Sequence, residues 1–236
     1  MPALQDRPDT PYASRLVPGL GYRTGALHPR LGPTRSVVVH TTGAGILARF
    51  AREGAAKGDA TPHDTAVRVY ATIMPDSGHY VVGALGECTQ VVPEYAVARH
   101  VGAAKSRAYY LPRERWLTPA VEWWPVRWPG LASPVELAGG MLWEGGSCNA
   151  GAVGIEVVPP LSGARDAWSA ECWATLARLV ADVCARRHVP LDREHVVTHS
   201  DAHPISRSAK GAPWDPPPSQ WAWERMRAAL ASLAPP

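Results

Sequence analysis

Apolar residues in this chain fall into short β-branched runs set between glycine- and proline-rich stretches, and into one long amphipathic segment. Ser36–His40 (SVVVH) is a continuous apolar run bounded by Pro33 and Gly43, the pattern of a strand buried on both faces, and it ends in a histidine. His79–Gly83 (HYVVG) and Cys88–Val92 (CTQVV) flank a glycine-containing turn at 84–87 and predict a hairpin. Val153–Val158 (VGIEVV) and His195–Thr198 (HVVT) predict two more strands, the last running directly into His-Ser-Asp. Helical spacing is clearest from Asp166 to Arg187. There Cys172, Leu176, Leu179, Val180 and Val183 share one face, Asp166 is placed to cap the start, and Arg186, Arg187 and His188 sit where the helix dipole favours cations. Shorter helices are expected over 44–58, over His63–Ile73 up to Pro75, and over Gln220–Leu233.

Strands and helices mix without strict alternation, which predicts a central mixed β-sheet flanked by helices, of the α/β class in its broad α+β sense. Residues 1–35 read as a Pro/Gly-rich, extended N-terminal arm, and 36–236 as a single domain. Residues 104–147 carry no periodicity and concentrate Trp116, Trp123, Trp124, Trp128 and Trp143. A structureless stretch of that length inside a compact domain is usually functional, so it reads as an insertion over the site. Its tryptophans fit either a platform for the apolar faces of sugars or a satellite core under a long loop.

Composition narrows the class. With 236 residues, 46% hydrophobic and 19% charged, the chain is an ordinary globular one, long enough for a real core. Ten tryptophans against one phenylalanine favour half-exposed aromatic platforms as well as core. A net charge of +3 without any Lys/Arg-rich run suits an anionic polymer such as cell wall and argues against nucleic acid. No stretch approaches the roughly 20 apolar residues of a membrane span. The first residues lack the basic and apolar regions of a signal peptide, so synthesis in the cytoplasm is expected. The four cysteines, Cys88, Cys148, Cys172 and Cys184, form no CxxC pair. Cys172 and Cys184 would lie roughly 18 Å apart on one helix, at about 1.5 Å per residue, too far to bond. All four are read as reduced thiols.

His40 and His199 each stand at the end of a short apolar strand, held by a rigid element at the sheet edge. Catalytic zinc takes three protein ligands, imidazole among the commonest, and keeps one position open. Asp215, in PWDPPP, sits on a proline-stiffened loop and can complete the set; His203 is the competing third ligand.

The ordered motifs SVVVH, GHYVVGALGECTQVVPEYAVARHVG, NAGAVGIEVV, HVVTHSDAHP and WDPPP resemble the type-2 N-acetylmuramoyl-L-alanine amidases and the related peptidoglycan recognition proteins. The resemblance covers about residues 36–223 apart from the insertion. It implies a mixed sheet with a zinc cleft on one face, Zn2+ as cofactor, and peptidoglycan or a muropeptide as partner, acted on by a monomer. Residue by residue it implies that His40, His199 and Asp215 bind zinc and that Glu156 works near the zinc-bound water. It also implies that His79, Tyr80, His100 and Asn149 belong to the substrate groove. Similar amidases often carry a lysine two residues before the third ligand; Pro213 stands there, leaving Lys210, or Arg207 in its place, for the developing oxyanion. Two other functions stay open at this level. One is a recognition module that binds muropeptides without cutting them. The other is a wall peptidase using Cys148 as nucleophile.

Overall fold

The computed structural model describes residues 7–18, 29–30, 32–42, 50, 54, 56, 58–74, 77–101, 148–159, 168–199, 215–216 and 221–233. Six strands form one sheet: β1 (Arg15–Leu16), β2 (Ser36–Thr41), β3 (Tyr80–Val82), β4 (Cys88–Gln90), β5 (Ala152–Val157) and β6 (Val196–Thr198), in the order β1-β4-β3-β5-β2-β6. Only β3 and β4 pair antiparallel; the other four pairings are parallel. The apolar runs of β2 and β5 are buried nearly end to end because these strands are central and covered on both faces.

The helices are α1 (Pro62–Arg68), α2 (Cys148–Gly151), α3 (Ala170–Arg187) and α4 (Trp223–Ala231). One face of the sheet, carrying Val37, Val39, Tyr80, Val82, Val153, Ile155 and Val157, packs against Cys172, Leu176, Leu179, Val180 and Val183 of α3. That is the stripe its spacing predicts. Met226 of α4 is buried against the same core. Alternation along β2 and β5 therefore sends Val38, His40, Gly154 and Glu156 to the opposite face, away from the long helix.

The structure differs from expectation in several places. Helix α3 starts at Ala170, not Asp166, because Ser169 takes the capping position and accepts from the Cys172 N–H at 3.0 Å. Part of the arm is a strand: Arg15–Leu16 adds to the free edge of β4 in parallel, and Asp9 accepts from the Glu94 N–H at 2.8 Å. A two-residue strand leaves no periodicity to read. Trp168, Trp173 and Trp221 supply the core share of the tryptophans as a buried cluster, with ring centroids 5.2–6.3 Å apart. Cys88, Cys172 and Cys184 are buried free thiols. Burial raises each to a pKa of about 12, which leaves them inert. The 104–147 insertion and most of the helix expected over 44–58 lie outside the described residues. Among the described residues no helix is long and apolar enough to cross a membrane.

Candidate metal centre

Parallel strands bring their carboxyl ends together, and side chains there gather at one edge of the sheet. The register of β2 on β5 pairs His40 with Glu156, and that of β2 on β6 pairs Val39 with Thr198. His199, the residue after Thr198, therefore arrives beside His40; the two ring centroids are 4.6 Å apart. Asp215 comes in from a separate segment. Its Oδ1 accepts from the Thr41 N–H at 2.6 Å, next to His40 in the chain. Its Oδ2 lies 2.9 Å from His199 Nδ1 and 3.5 Å from His40 Nδ1.

One donor atom from each of His40, His199 and Asp215 lies within 4.8 Å of the others, and all three side chains are buried. Two imidazole nitrogens and a carboxylate oxygen are the donor set of a catalytic zinc. Tetrahedral bonds of about 2.0–2.1 Å place such donors roughly 3.3 Å apart, so small movements close the set around an ion. Burial raises the pKa of Asp215, but the bonds from His199 and His40 outweigh it and hold the carboxyl well below its ordinary range. The group is an anion in place to receive a cation.

Glu156 borders these donors. Its Oε1 is 3.9 Å from His40 Nδ1. Its Oε2 accepts from the Tyr70 hydroxyl at 2.8 Å and lies 3.4 Å from the Thr42 hydroxyl. Burial and then the Glu156 charge push the Tyr70 pKa well above 10, so the hydroxyl keeps its proton to donate. Nothing in the sequence marks Tyr70. It lies on a π-helical turn, Val69–Ile73, that prolongs α1, and no local pattern marks where such a turn aims one side chain. Thr42 was likewise unmarked.

A model of the N-acetylmuramoyl-L-alanine amidase family matches residues 30–218. The chain belongs to that family. Its fold is similar to that of a selenomethionine AmpD derivative, at 18% identity over 94% of this chain and 96% of that one, with a TM-score of 0.51. Two further solved structures align at lower TM-scores. The Ph2119 endolysin from the Thermus scotoductus MAT2119 bacteriophage gives 17% identity, 92% and 99% coverage, and 0.44. Citrobacter freundii AmpD gives 17%, 95% and 93%, and 0.42. Among curated proteins none matches.

The remaining family-motif positions lie inside the amidase fold. His79 is fully buried; its Nδ1 accepts from the Gly154 N–H at 3.0 Å, so its proton sits on Nε2, 3.2 Å from the Ala96 carbonyl. Burial, and then the Arg30 charge, lower its pKa to about 3, which keeps the ring neutral. Tyr80 is also fully buried and donates to Glu94 Oε1 at 2.6 Å. Asn149 clamps the Val101 backbone, accepting from its N–H at 2.8 Å and donating to its carbonyl at 2.7 Å. These hydrogen bonds tie all three side chains to other segments of the fold. His100 is also buried, with Nδ1 3.0 Å from His40 Nε2. Burial, and then the nearby imidazoles of His40, His79 and His199, lower its pKa well below 6.5. Lys210, Arg207 and His203 lie outside the described residues, as does the side chain of Cys148.

Proposed function

We propose that this chain is a zinc-dependent amidase that hydrolyses the bond between N-acetylmuramic acid and L-alanine in peptidoglycan. One observation carries the reading: His40, His199 and Asp215, from three distant stretches of an amidase-family chain, put their donor atoms within 4.8 Å of one another. In this reading His40 and His199 bind the metal through Nδ1 and Asp215 through Oδ2. Zinc bound there supplies Lewis acidity, enough to bring the pKa of water down to about 7 and to polarise a scissile carbonyl. Glu156 takes up the proton of the attacking water at Oε1 and returns it to the leaving nitrogen of L-alanine. Tyr70 and Thr42 hold Oε2, so Oε1 keeps its aim toward the metal donors. A cation for the developing oxyanion falls to Lys210 or, in its place, Arg207.

Digestion of purified peptidoglycan, followed by mass spectrometry, tests the reading. New L-alanine amino termini should appear, disappear with a chelator and return with added zinc. Binding to peptidoglycan without new amino termini would make the chain a recognition module instead. Parallel digests of intact sacculi and soluble muropeptides separate a lytic role from a recycling one. Glu156→Ala is expected to lose about 10²–10⁴-fold in turnover, the usual contribution of a general base, while keeping bound zinc. Metal analysis after dialysis checks this, and loss of zinc from that variant would contradict the role.

A further inference from the structure

We propose that His100 is a positioning residue for the metal: it accepts a hydrogen bond from His40 Nε2–H and so holds His40 in the one tautomer that offers Nδ1 to zinc. The inference rests on the metal-site reading above and adds to it a residue outside the donor set of His40, His199 and Asp215. Neutral imidazole carries one proton on two nitrogens. His40 Nδ1 faces Asp215 Oδ2 at 3.5 Å and Glu156 Oε1 at 3.9 Å. Its Nε2 points the other way, 3.0 Å from His100 Nδ1. If Nδ1 binds the ion, the His40 proton sits on Nε2 and needs an acceptor. Metal-ligating histidines usually give that proton to a carboxylate, a carbonyl or water; here an imidazole nitrogen stands in the acceptor's place. The opposite arrangement, with His100 donating to His40, moves the His40 proton to Nδ1 and closes that nitrogen to the metal.

Two features show that the His100 ring is held for this contact. A Cβ at Gly154 would stand 2.5 Å from His100 Cγ and 2.9 Å from its Nδ1, so the ring lies flush on a glycine two residues before Glu156. The chain beside the ring is fixed by the two Asn149 bonds to Val101. His100 Nε2, in contrast, is buried and makes no hydrogen bond among the described residues. Among the described residues the ring's hydrogen bond to a side chain is the one through Nδ1 to His40.

Zinc affinity, measured by competition with a chelating dye, tests the inference on the full chain, and thermal unfolding of the metal-free proteins reports the fold separately. His100→Ala is expected to bind zinc about 10–100-fold more weakly than the parent, the usual cost of losing such a partner. His100→Asn, whose Oδ1 can stand where Nδ1 stands, is expected to recover most of that loss. Gly154→Ala, which leaves both histidines in place but displaces the ring, should weaken binding in the same way as His100→Ala. If His100→Ala fails to fold, the Asn and Gly154 variants decide the matter. Parent-like affinity in folded His100→Ala or Gly154→Ala would overturn the inference, as would folded His100→Asn binding no better than His100→Ala. A parent chain that binds no zinc, or a His40→Ala variant that binds it unchanged, would overturn the metal reading itself and this inference with it.

Discussion

Asp215→Ala is expected to release no detectable L-alanine amino termini from peptidoglycan, with turnover down at least about a thousandfold. The fall should exceed the 10²–10³ typical of losing a single oxyanion donor, because the metal goes with the side chain. The carboxylate does two things at once. Oδ1 is fixed by the Thr41 N–H at 2.6 Å, and Oδ2 faces Nδ1 of both histidines. Removing it leaves two buried imidazoles without the anion that offsets a divalent charge. Asp215→Asn keeps the volume and the Thr41 contact but not the charge, so it should hold zinc less tightly than the parent and more tightly than Asp215→Ala. Metal content after dialysis and mass spectrometry of digests check both variants. If Asp215→Ala kept metal and turnover, the third ligand would lie elsewhere, and His203 is the alternative the sequence offers.

The largest expected loss of stability lies away from the metal donors. Glu94 is fully buried; it accepts from the Tyr80 hydroxyl, from Arg186 at 2.8 and 2.9 Å and from Arg187 at 2.5 Å. Glu94→Ala leaves two partly buried guanidinium groups and a buried hydroxyl without this acceptor. Breaking such a pair costs about 3 kcal/mol or more, which corresponds to a fall in Tm of roughly 6–12 °C for a chain of this size. The lowered pKa of Glu94 points to a similar figure. Burial raises the Glu94 pKa, but the bonds from Arg186 and Tyr80 overcome it and bring the value from 4.5 to about 2. At about 1.4 kcal/mol per unit this again amounts to about 3 kcal/mol. A carboxyl whose pKa is lowered by folding contributes fully above its unfolded value and loses that contribution as pH falls toward its folded one. The gap in stability between the parent and Glu94→Gln should therefore be full at pH 7 and more than half gone by about pH 3. Urea unfolding of the metal-free proteins at the two pH values measures it. An unchanged gap would mean that the Glu94 charge contributes nothing to stability.

The strands carrying the chemistry were legible because each is short, β-branched and closed by a polar residue. SVVVH and HVVTH announce a buried strand and the residue at its end in one pattern. The α3 stripe was legible for the same reason, since five apolar residues on one face need no tertiary information. Its first turn was misplaced because Asp166 and Ser169 are both good caps, and only packing selects between them. The β1 pairing was illegible because two residues carry no period. The resemblance implies a groove role for His79, Tyr80 and Asn149, and only the assembled sheet shows which remote segments each of them bonds.

By itself the sequence determined which segments are buried strands and helices, and that two histidines close two of those strands. Burial and periodicity are local properties, written wherever an apolar run meets a polar residue. Tertiary structure alone decided the parallel register that sets His40 against Glu156, the arrival of Asp215 at the Thr41 amide, the aim of Tyr70 onto Glu156 and the seating of His100 on Gly154. Each of these is a contact between residues remote in the chain. A period of two says that neighbouring side chains take opposite faces, but only the assembled sheet decides which face meets α3 and which is left for the metal.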